Sequence, residues 1–153
     1  MSQTTYDSRP DTEAHIARVS ELLGKFANIL LSRAIVHDAS KLESPEKEGF
    51  DEYTPKLKGL TYGSDEYKEA LKGLGVALEH HYAHNSHHPQ FYPNGINGMS
   101  LFDLLEMFAD WKAAGERHAD GNFSQSLEIN RTRFEMSDQL AQIFENTRKE
   151  VGW

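Results

Sequence analysis

Five of the eight histidines fall within nine residues: His80, His81, His84, His87 and His88, in the string EHHYAHNSHHP. Another stands directly before an aspartate, as His37–Asp38 in IVHDASK. Neutral imidazole is the commonest protein metal ligand, and a polar ring is costly to bury without a partner. So dense a grouping, in a chain without cysteine, points to a metal site built from nitrogen and carboxylate oxygen. Such a site suits Mn, Fe, Co or Zn doing chemistry better than a thiolate-bound structural zinc.

Residues three, four and seven apart share one helix face. His81 therefore continues the inward stripe of Leu74 and Leu78, Asn85 extends it, and His88 would follow if the helix lasted that far. His80 and His84 form an i,i+4 pair about 100° round the same helix. At least one or two of the five histidines are expected as ligands; which ones stays open at this point. His15 lies one position before Ile16, beside the apolar stripe of the first helix. Further along, Asp103, Met107, Asp110 and Ala114 share a face, where a carboxylate is expensive unless paired or bound to metal. Glu106 could accept the second N–H of a ligating imidazole. His118, beside a turn, reads as a surface residue.

The elements that must position these groups read as helical throughout. Apolar residues recur with helical spacing at Ile16, Val19, Leu22, Leu23, Phe26, Ile29 and Leu30. Ser44 followed by Pro45 reads as an N-cap with proline at the first helical position, opening a helix to about Leu57. Thr61 to Gly63 is a turn, and Ser64 caps the next helix. Two prolines, two glycines and two asparagines make residues 88–98 a loop. Ser100 with Asp103 resembles a capping box. Asp120–Gly121 marks a turn, Ser124 caps a helix through Phe134, and Ser137 caps a last one. No stretch alternates with period two. The expected fold is all-α, a single bundle of about six helices over residues 1–153.

At 153 residues the chain is long enough for one domain with a real core. A net charge of −8 disfavours long nucleic acid as a partner, because phosphate backbones are bound by clustered Lys and Arg. A small anionic ligand remains compatible if a metal and a few bases reverse the field locally. Without cysteine there is no disulfide and no need of an oxidising compartment. The first residues are polar and the apolar runs are too short to span a bilayer. The expectation is a cytoplasmic protein with no membrane partner; the sequence is silent on oligomeric state.

Together these residues resemble the HD-domain metal-dependent phosphohydrolase superfamily, an all-α fold. That family holds a divalent metal between a His on an early helix, a His-Asp pair and an Asp on a later helix. The resemblance implies His15, His37, Asp38 and Asp110 as ligands. HDASK is similar to the HDxGK string of the cyclic-dinucleotide phosphodiesterase branch, in which a later HH pair serves a second metal and the last Asp lies in a string like ADxxxA. Here HH occurs at His80–His81 and His87–His88, and Ala109-Asp110-Trp111-Lys112-Ala113 matches the second string. The expected ligand set accordingly adds His81 and one of His87 and His88, for one or two ions of Mn, Fe, Co, Zn or Mg. Over its full length the chain resembles small HD-like proteins of phages and bacteria that carry HDxSK, NxHHP and EMxxDW; here these are residues 37–41, 85–89 and 106–111. The GYP-containing loop of the phosphodiesterase branch is absent.

This resemblance implies a phosphohydrolase that acts on a small nucleotide or other phosphate ester through a metal-activated water. Lys41 would meet the substrate phosphate as a compact charge, and His84 or His88 would protonate the leaving oxygen. Arg131 and Arg133 are further phosphate-binding candidates. Two alternatives stand beside it. One is a di-iron HD-fold oxygenase; the other is a non-catalytic phage protein that binds a nucleotide on its metal.

Overall fold

The computed structural model describes residues 6–61, 63–117 and 122–153. His118 and the Asp120–Gly121 turn lie outside the described residues, as does Tyr62 of the 61–63 turn. The chain divides into two compact units, one ending at Val36 and the other running His37–Trp153. The described residues form six α-helices, joined in places by short 3-10 turns, with no strand among them. No helix among them is long and apolar enough to cross a membrane.

The first unit is helix α1, Arg9–Val36. Its helical spacing is as the sequence implies, and no residue of α1 is buried. Ile16 and Leu23 are more than half exposed. Periodicity marks a face; it does not say what covers it. His15 is exposed as well.

In the second unit, a 3-10 turn over Ala39–Leu42 leads to α2, Glu46–Lys58. The N-cap of α2 is Pro45 and not Ser44, and no side chain caps it. Helix α3, Asp65–His84, begins where Ser64 Oγ accepts from the Tyr67 amide, as its sequence implies. It kinks at Gly75, where φ of 45° and ψ of −117° favour a residue without Cβ. Burial along α3 follows Leu74, Ala77 and His81, while Leu78 is only half-buried. Helices α2 and α3 approach closely at Gly49, where a Cβ would stand 2.5 Å from that of Ala77.

Asn85 ends α3, so His87 and His88 lie in the following turn and not on the helix. Two 3-10 turns, Pro89–Phe91 and Gly95–Gly98, structure the loop. Helix α4, Leu101–Gly115, opens with a capping box in which Ser100 and Asp103 satisfy each other's backbone N–H. Helix α5, Phe123–Arg133, is capped by Asn122 and not by Ser124. Helix α6, Asp138–Glu150, is capped by Ser137 as expected. Met107, Phe108, Trp111, Phe123, Leu127, Met136 and Phe144 form one apolar core among α4, α5 and α6.

Candidate metal centre

Four segments of the second unit converge on Asp38. Its left-handed backbone (φ 56°) caps the 3-10 turn that follows α1 and leaves the side chain 16% exposed. Asp38 Oδ1 lies 3.3 Å from His81 Nε2 on α3 and 3.4 Å from His87 Nε2 in the loop. Asp38 Oδ2 lies 3.5 Å from His37 Nε2, which in turn stands 3.7 Å from Asp110 Oδ1 on α4. His88 joins the first side, its Nε2 2.8 Å from His81 Nε2. The arrangement contains three groups that could hold a metal ion: Asp38, His81, His87 and His88; His37, Asp38 and Asp110; and His37, His87 and Glu106. One oxygen of Asp38 faces each of the first two.

Carboxylates behind the imidazoles fix their ring nitrogens. His37 donates Nδ1–H to Glu106 Oε1 at 2.8 Å, and His87 Nδ1 lies 3.1 Å from the same oxygen. His81 donates Nδ1–H to Glu46 Oε2 at 2.8 Å. When such a ring is neutral, with its Nδ1–H committed in this way, it presents its Nε2 lone pair, the arrangement found behind ligating histidines. Two buried atoms, Asp38 Oδ1 and His87 Nε2, have no hydrogen-bond partner. Buried polar atoms are normally paired, and a cation between these two would satisfy both. The donor set of imidazole nitrogen and carboxylate oxygen, without sulfur, fits a divalent ion of borderline hardness.

The electrostatics follow from three carboxylates sharing a small volume. Asp110, then Glu106, raise the His37 imidazole to about 10, so that a proton occupies it at neutral pH. Burial opposes ionisation of Asp38, yet His81, His87 and Lys41 outweigh it and hold the carboxyl well below the usual range. Burial likewise opposes Asp110, and His37 keeps it ionised. His87 is raised, burial being overcome by Asp38 and Glu106. Burial, then the nearby His87 and His81, push His88 down to about 3. A ring kept neutral so firmly suits a donor of a lone pair better than a donor of a proton.

Of the expected ligands, His37, Asp38, His81, His87 and Asp110 are brought together, and His88 stands with them. His15 belongs to the first unit, on an exposed turn of α1, and is not among these groups. Lys41 bonds Asp38 Oδ2 at 2.6 Å. His84 is exposed at the end of α3 and stacks on His80, with ring centroids 3.9 Å apart. Asp103 is a structural carboxylate, accepting from Ser86, Tyr92 and Ser100. Glu46, fully buried, is the one centre residue with no role assigned from the sequence, because a glutamate in a first turn reads as a solvated complement to the helix dipole.

The centre forms part of the wall of a cavity of about 380 Å³. Asp38, His81, His88 and Asp110 face it, and so do four cations, Lys41, Lys58, Arg117 and Arg133. Arg131 instead pairs with Asp138 at 2.7 Å.

Residues 4–150 match the model of a family of unknown function, DUF5662. The chain belongs to this family. No curated protein and no solved structure matches it. Membership in DUF5662 assigns no chemistry, so the ligand cluster and its cavity are what bear on function.

Proposed function

We propose that the protein is a divalent-metal-dependent phosphohydrolase acting on a small nucleotide or another small phosphate ester. One observation carries this reading: the histidine–carboxylate cluster and four cationic side chains line the same cavity. In a chain of net charge −8, that local excess of positive groups is what a small phosphorylated molecule would require. The resemblance to HD-domain phosphohydrolases in HDASK and in Ala109-Asp110 points the same way.

His37, Asp38 and Asp110 would hold one ion, and His81, His87 and His88 a second, with Asp38 shared between them. A divalent cation supplies an activated water and polarises a phosphoryl oxygen. Glu106 and Glu46 keep the imidazoles in the tautomer that exposes Nε2. Lys41, held against Asp38 Oδ2, and the guanidiniums of Arg117 and Arg133 would bind and orient the phosphate. The apolar flank of the cavity, including Leu74, Leu78 and Trp111, would take the organic part of the ester and exclude water.

The competing reading is an oxygenase with two irons. The four imidazoles and three carboxylates of the cluster favour it, since that donor set suits iron equally well. Protein purified without chelator should be analysed for metal, then incubated with mononucleotides, cyclic nucleotides and simple phosphate esters. Metal-dependent phosphate release that EDTA abolishes is the expected result. Oxygen uptake with no phosphate release would replace the hydrolase with the oxygenase.

A further inference from the structure

His80 and His84 lie outside the Asp38 cluster, on the last turn of α3. Their rings stack with centroids 3.9 Å apart and only 16° between planes. Each has its Nδ1 engaged on the protein side. His80 donates Nδ1–H to Glu46 Oε1 at 2.7 Å, and His84 donates Nδ1–H to the His80 carbonyl oxygen at 2.7 Å. In the neutral ring both lone pairs then reside on Nε2. His84 is exposed and the His80 side chain is one-third exposed, so the pair lies at the protein surface. Two imidazoles at i,i+4 on one helix are a recurring bidentate metal grip. In near-parallel stacked rings the in-plane lone pairs do not converge, so binding one ion requires the exposed His84 ring to turn out of the stack until both Nε2 atoms reach it.

Two further observations separate this pair from two surface histidines in chance contact. Glu46 is fully buried, yet spends one carboxylate oxygen on His80; a buried carboxylate behind an imidazole is how ligating histidines are oriented. The pair also sits at the C-terminal end of α3, where the helix dipole favours positive charge.

We propose that His80 and His84 form a second, solvent-facing site for one borderline divalent cation, Cu²⁺, Ni²⁺ or Zn²⁺, completed by water. This site is tied to the inner cluster by a single residue. Glu46 Oε1 takes His80, while Oε2 takes His81 at 2.8 Å and Ser40 Oγ at 2.9 Å. An ion on His80 draws charge from the carboxylate that also orients His81, so occupancy outside is felt inside. The proposal stands whether or not the protein hydrolyses phosphate esters, since its test counts ions and not turnover.

The test uses the full chain stripped with chelator and titrated with Cu²⁺ alone. His84→Gln is the main variant because His84 is exposed and its loss leaves the fold intact. Wild type should bind about one equivalent of Cu²⁺ more than His84→Gln, with the stoichiometry at the inner cluster unchanged. Electron paramagnetic resonance of the additional Cu²⁺ should show coupling to two imidazole nitrogens, and that signal should vanish in both His84→Gln and His80→Gln. Equal stoichiometry in wild type and His84→Gln would overturn the proposal, as would a spectrum with fewer than two nitrogens.

Discussion

Asp38 Oδ1 and His87 Nε2 face each other across 3.4 Å, both buried and neither with a hydrogen-bond partner. Leaving two such atoms unsatisfied costs a folded protein about 1–3 kcal/mol each. A cation between them reverses that cost. Asp38→Asn keeps the shape of the side chain and removes its charge. The variant should lose metal affinity by about 100-fold or more, beyond what loss of an outer partner costs. It should also lose the rise in melting temperature that a bound metal would give wild type. Elemental analysis of the two proteins purified side by side checks this, and equal metal content would refute the centre.

The protonation of the centre makes a second expectation. His37 is raised to about 10, so in the metal-free protein it stabilises the fold fully below its unfolded value near 6.5 and loses that contribution as pH climbs towards 10. His88, pushed down to about 3, acts in the opposite sense. The unfolded chain protonates this ring below about 6.5 and the folded one does not, so stability falls as pH drops from there. Urea denaturation in excess chelator should therefore show greatest stability near pH 6.5 and a decline on both sides. A metal held by His37 would have to displace its proton, so calorimetric titration at pH 7.5 in buffers of different ionisation enthalpy should report release of about one proton per ion at this site. No buffer dependence would show that His37 is not a ligand.

Asp103 is 3% exposed and accepts from four donors: the Ser100 amide, Ser100 Oγ, Tyr92 O–H and Ser86 Oγ. Although burial opposes it, the Ser100 amide and the three hydroxyls hold the carboxyl at about 2. Asp103→Ala takes an acceptor from the half-buried Ser86 and Tyr92 hydroxyls and removes half of the capping box. It should cost about 2–3 kcal/mol, against about 1 for Ser100→Ala, where both bonds of the exposed Ser100 hydroxyl with Asp103 are lost but Asp103 keeps its other donors. Because Ser86 and Tyr92 flank His87 and His88, the same variant should also weaken metal binding. Denaturant melts and metal titrations of both variants separate the two effects.

Helix starts were legible where a serine has a free run into the apolar pattern, as at Ser64, Ser100 and Ser137. They were missed where a competitor lies one or two residues away. Pro45 takes the N-cap from Ser44, and Asn122 takes it from Ser124. The centre was legible in part because a His-Asp pair and clustered histidines are rare enough to be noticed. Asp110 could be told from Asp103 only through the string around it, since both lie on one helix face. Glu46 carried no signal: its burial depends on α3 bringing His80 and His81 over the start of α2, a tertiary fact.

The apolar core of the second unit draws on α4, α5 and α6, and no residue of α2 or α3 belongs to it. The buried side chains of α3 run from Leu74 and Ala77 to His81, which meets Asp38 and His88. At this seam the interior holds ionisable groups, two of whose buried atoms, Asp38 Oδ1 and His87 Nε2, lack a hydrogen-bond partner. The α2–α3 pair is mortared to the rest through imidazoles and carboxylates, where most domains would use leucines. An ion seated there would be a keystone as much as a reagent, and withdrawing it would loosen two helices at once.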